Sequence, residues 1–183
     1  MTGPTRGGVL VVAETAVVGI ALGALMGLIW WWVAPTEEWK VVKGGALAPS
    51  EIGFNAWFAA DGWFLVLGAF AGILLTLISW RRGRRNPVAL VVGVIAGGAL
   101  LALTAWSLGG ILGPPDPKTV AETAELGTTV EGALGLRALG VMCAPLLTAL
   151  TTLALLVASS HVEEAPPEPA SPVDGAGVPQ QSW

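Results

Sequence analysis

The chain has 183 residues, 54% of them hydrophobic and only 12% charged, and its 9 basic and 13 acidic side chains leave a net charge of −4. A soluble domain of this size is about one quarter charged, so the composition excludes an ordinary soluble fold, and a mean hydropathy of +0.71 agrees. The acidic balance offers no extended basic face for nucleic acid, and the single cysteine, Cys143, excludes an internal disulfide.

The apolar residues come in blocks long enough to cross a hydrocarbon core of roughly 30 Å, which makes the lipid bilayer the first partner. Residues 1–8 read as a short polar N-terminus carrying Arg6, and the first span covers about 9–33. It is too long for a cleaved leader and lacks a small-x-small site, so it is expected to be retained. Trp30-Trp31-Trp32 at its end reads as an interfacial aromatic belt. In the following loop, Glu38 to Lys43 alternates like a strand and Gly44-Gly45 supplies a turn, which predicts a small hairpin. Pro49-Ser50-Glu51 predicts a helix start about two turns before the second span, which covers about 59–80. Trp57 and Trp63 mark one interface of that span and Trp80 the other.

Arg81-Arg82-Gly83-Arg84-Arg85 holds four of the nine basic residues between two apolar blocks. Clustered arginines in a short loop stay on the cytoplasmic side, so Arg81, Arg82, Arg84 and Arg85 set the topology. Asn86-Pro87 predicts a capped start for the third span, about 88–112, which Gly113-Pro114-Pro115 ends. In the second loop, Thr119-x-x-Glu122 and Thr128-x-x-Glu131 match the capping box. The first predicts a short helix up to Leu126 and the second the start of the fourth span, about 138–157, kinked at Pro145. Residues 159–183 are rich in proline and acidic side chains and are predicted to be disordered. The fold class is therefore an all-α membrane protein. Its four transmembrane helices form one domain, 9–158, in the plasma membrane with both termini cytoplasmic.

Helix association in lipid depends on close backbone approach, because the hydrophobic effect does not drive it there. Every span carries a ridge of small residues: Gly19-x3-Gly23-x3-Gly27, Gly68-x3-Gly72, Gly93-x3-Gly97 and Gly140-x3-Ala144-x3-Thr148. These ridges predict a compact bundle, with a dimerisation role, and so a homo-oligomer, as the rival reading. Ionisable groups inside a membrane are functional candidates by default. Glu14 in the first span is read as snorkelling to the inner interface. Asp61, near the outer end of the second span, is read as a helix cap, with an ion or proton site as the rival reading. Arg137, at similar depth at the fourth span, is the expected ion-pair partner of Asp61, and Glu131 its competitor. Cys143 is read as a small buried apolar residue. His161 is the only histidine, no phosphate-binding loop or nucleophile elbow occurs, and the residues offer no metal site, cofactor site or catalytic set.

The chain resembles the actinobacterial membrane-protein family of domain of unknown function 2567. The resemblance rests on Trp31-Trp32-Val33-Ala34-Pro35, Val42-x-Gly44-Gly45 and Phe58-Ala59-Ala60-Asp61-Gly62-Trp63-Phe64, with Gly113-Pro114-Pro115 and Leu136-Arg137-Ala138. It covers about residues 9–158 and implies a four-helix plasma-membrane protein without an assigned activity. From the residues themselves, the expected role is a non-enzymatic accessory or scaffold subunit of envelope machinery, with another membrane protein as partner. The alternatives are a small transporter or channel subunit using Asp61, Arg137 and Glu14, and a lipid-directed enzyme using Asp61 and Glu131.

Overall fold

The structure, a computed structural model, describes residues 6–42, 46–49, 51–121, 124–125 and 127–162. The Gly44-Gly45 turn, Glu122, Leu126, the Trp57 side chain and the tail from 163 onward lie outside them.

Four long helices dominate: α1 (Arg6–Val33), α2 (Glu51–Gly83), α3 (Pro87–Leu112) and α5 (Ala144–Val162). All four are long and apolar enough to cross a membrane, which makes this a multi-pass membrane protein. Their outward faces carry residues such as Leu10, Val17, Phe70, Val88 and Leu155, which in lipid need no protein cover. The boundaries follow local chemistry. Asn86 Oδ1 accepts the Ala89 N–H at 3.4 Å while Pro87 occupies the first turn of α3, as the sequence predicts. At the other end the Gly113 N–H closes on Gly109 O at 2.9 Å, and Pro114-Pro115 offers no further donor. The start of α2 at Glu51 also agrees with the sequence.

The fourth span departs from expectation. Leu139–Cys143 is a turn of 3-10 helix, and α5 begins only at Ala144. Pro145 thus sits in the first turn of an α-helix, where its missing N–H costs nothing, and it kinks no helix interior. The helix runs on to Val162, past the expected end at 157.

The helices pair in a way the sequence does not announce. α1 packs most closely on α3, and α2 on α5. Both pairs are parallel: Gly19, Gly23 and Gly27 meet Gly97, Leu101 and Ala105 in ascending order, and Gly68 and Gly72 meet Pro145 and then Thr148 and Ala149. A Cβ added at Gly23 would lie 2.5 Å from Leu101 O and 3.0 Å from the Thr104 Cβ. Gly72 gives the same intimacy to α2, facing Pro145 O and Thr148. Thr76, fully buried, ties that pair further by donating to Ala149 O at 2.9 Å, with Gly72 O at 3.2 Å. Three of the four small-residue ridges are therefore packing surfaces. The fourth is only half so: Thr148 meets Gly72, but Gly140 stands in open space.

Trp30 corrects another reading. It is wholly buried, donates its indole N–H to Ala60 O at 2.9 Å, and meets Phe64 edge-on with centroids 5.1 Å apart. Gly109 on α3 leaves the space its ring fills. Only Trp31 and Trp32 remain as the exposed belt.

One end of the bundle is capped. Strands β1 (Glu38–Val42) and β2 (Ala46–Pro49) form the expected hairpin, paired from Trp39↔Pro49 to Val42↔Ala46. A third strand, β3 (Thr129–Glu131), adds to the free edge of β1, giving the order β2-β1-β3. Thr128 therefore begins no membrane helix. Helix α4 (Pro117–Ala121) starts earlier than the capping box suggests, because Asp116 accepts the Lys118 N–H at 3.0 Å and its carbonyl takes the Thr119 N–H. Val41, Val130 and Ala121 are the small core of this cap.

Candidate functional site

The capped end holds a polar cluster built around Asp61. This residue lies about three turns into α2, so it cannot cap that helix. Its carboxylate instead reaches the segment entering the fourth span: Oδ1 accepts the Arg137 N–H at 3.2 Å and Oδ2 the Ala138 N–H at 2.9 Å. These are orphan donors ahead of a helix, the kind that a carboxylate satisfies well. The contact between Asp61 and Arg137 thus runs through the Arg137 backbone N–H. The Arg137 guanidinium forms its ion pair with Glu37, at 3.2 and 3.3 Å from the two oxygens.

Glu37 is the functional-looking residue that the sequence conceals. Its side chain is only 13% exposed and also accepts the Trp39 indole N–H at 3.1 Å. Its own carbonyl takes the Gly132 N–H at 2.6 Å. No spacing separates Glu37 from its neighbour Glu38, since its ion-pair partner Arg137 lies 100 residues further along the chain. Glu131, the expected competitor, lies in β3 with its Cα directly across from Glu38 and is exposed.

Two cavities flank Arg137. One, about 680 Å3, is charged and aromatic, lined by Glu37, Trp39, Asp116 and Lys118. The other, about 470 Å3, is almost wholly apolar, with Asp61 and Arg137 beside Phe58, Leu65 and Val141.

The opposite end carries the arginines. Glu14 does not simply reach for the interface; it pairs with Arg82 at 3.3 Å, both side chains being at least half exposed. Beside that pair lies Ser79, whose Oγ is buried without a hydrogen-bond partner and which lines a cavity of about 10 Å3. Between the two ends the interior is filled by Met26, Trp30, Phe64, Leu75 and Leu101. Asp61 and Arg137 thus share a cavity, while Glu14 is separated from them by that apolar core. Cys143 is exposed rather than buried, because the 3-10 turn presents it outward. Among the described residues no three of His, Cys, Asp and Glu are grouped as metal ligands.

These features define a four-span helical membrane protein with a small β-sheet cap latched to the bundle through Asp61 and Glu37. No family model matches the chain, and no curated protein or solved structure matches it either.

Proposed function

We propose that this chain is a non-enzymatic plasma-membrane protein, an accessory or scaffold subunit of cell-envelope machinery. In this reading the arginine end and both termini are cytoplasmic and the cap faces outward. The observation that carries it is the use made of the polar groups at the capped end. Asp61 has each carboxylate oxygen on a backbone N–H, and Arg137 is held by Glu37. Groups spent in this way fix one folded surface against the bundle, which suits a docking platform better than acid–base work, where the carboxylate must exchange protons freely. The orientation rests on the arginine cluster and the positive-inside rule. The motifs resembling domain of unknown function 2567 support the four-helix plasma-membrane setting and add no chemistry.

A transport reading draws on the cavity that Asp61 and Arg137 share. It asks a solute to pass the Trp30–Phe64 core to reach Glu14, and that core is close-packed.

Co-purification from the native host in mild detergent, with a tag after Trp183 and mass spectrometry as readout, separates the two. A stoichiometric membrane partner lost on substituting cap residues supports the accessory role. A protein that emerges alone, and whose Asp61→Asn variant abolishes a solute flux, overturns it.

A further inference from the structure

At the arginine end, α2 and α5 leave a groove of about 440 Å3 lined by Trp80, Arg84, Leu156, Ser159 and Ser160. Two of its donors, Arg84 and the Trp80 indole, have no side-chain partner among the described residues. Arg84 makes no ion pair among the described residues, in contrast to Arg82, whose charge is met by Glu14. The Trp80 indole N–H likewise has no acceptor among them, although the ring itself packs against the Leu90–Leu153 cluster. Ser159 and Ser160 turn their hydroxyls onto Leu156 O and Val157 O at 2.9 and 2.8 Å, weak local bonds that a stronger acceptor can replace. Arg6, Arg81 and Arg85 add charge at the same end without lining the groove.

We propose that this groove binds the phosphate headgroup of an anionic phospholipid, with Arg84 and the Trp80 N–H on the phosphate. A planar guanidinium suits phosphate oxygens, and an indole at the interface presents one wet edge and one apolar face. The apolar side decides for a lipid over a free anion. Leu156 lines the groove, and Leu155, 66% exposed, continues along α5 where an acyl chain would run. The acidic Glu163-Glu164 that follows α5 in sequence is the rival occupant, but carboxylates would leave that apolar side bare. The site stands whether or not the accessory role does.

The test uses the full-length protein in phosphatidylcholine bilayers with and without phosphatidylglycerol, counting retained lipid by native mass spectrometry. Wild-type protein retains phosphatidylglycerol selectively. Arg84→Gln lowers that selectivity on the order of fivefold, the effect of about one interfacial charge. Trp80→Phe, which keeps an aromatic ring and the charge but removes the N–H, lowers it less, and Arg81→Gln, with the same charge change off the groove, leaves it intact. Equal losses in Arg81→Gln and Arg84→Gln would mean a diffuse field and overturn the site. So would retention of inorganic phosphate to the same extent as phosphatidylglycerol, or selectivity that appears only in a Glu163→Gln/Glu164→Gln chain.

Discussion

The membrane-spanning body and the cap are held together by different physics. In the body, α1 and α3 touch backbone to backbone through glycines, and among the described residues Thr76 supplies the buried side-chain hydrogen bond between α2 and α5. In the cap, a three-stranded sheet, two carboxylates and an arginine make the contacts. The difference follows from the solvent. Lipid is as apolar as leucine and rewards shape, backbone proximity and a few interhelical hydrogen bonds, whereas water around the cap makes burial itself favourable. Damage should therefore scale with volume in the body and with lost polar partners in the cap.

The sharpest way to break the comparison is bulk at the helix crossing. Gly23→Leu is expected to destabilise the bundle by about 3 kcal/mol or more, since backbone cannot yield as a side chain can. Gly110→Leu, with nothing within 4 Å of its added Cβ, is the control and should be near neutral in the same detergent melt. Asp61→Ala comes next. It strands the Arg137 and Ala138 N–H groups at a cost of about 1–2 kcal/mol. Hydrogen exchange should rise around 137–143 while α1 and α3 stay protected; uniform loss of protection would contradict a latch confined to the cap. Thr76→Val keeps the volume and removes the interhelical bond, for a loss of roughly 0.6 kcal/mol. The smallest effect belongs to Glu131→Lys, which turns a like-charge pair with Glu38 into an opposite one and, both side chains being exposed, should stabilise the sheet by only about 0.2 kcal/mol. A melt unmoved by that change would show Glu38 and Glu131 fully solvated.

How much of this was legible depends on how local each signal is. The spans, the Asn86-Pro87 cap and the β1–β2 hairpin rest on neighbours in sequence and could be read there. The glycine ridges announced close packing but not their partners, because nothing in a ridge says whether the facing helix is the next one or the one after. Trp30 was hidden by its neighbours: three identical residues in a row, of which helical geometry turns one inward. Glu37 and β3 were invisible for the same reason, being defined by segments some hundred residues away. Pro145 was misread because a 3-10 turn before it moved the start of the α-helix, and the capping-box match at Thr128 gave way to pairing with β1.

The strand order has a consequence for how the chain is made. β1 and β2 can meet as soon as the second helix begins, but β3 follows α3, so Trp39 meets Val130 only after two further spans have been threaded. Until then one edge of β1 is unpaired, the kind of edge that recruits other strands. The sheet closes only on a chain whose third helix is already across. The cap is in effect a receipt for correct insertion, and a stalled or misthreaded chain is marked by an open edge outside the bilayer.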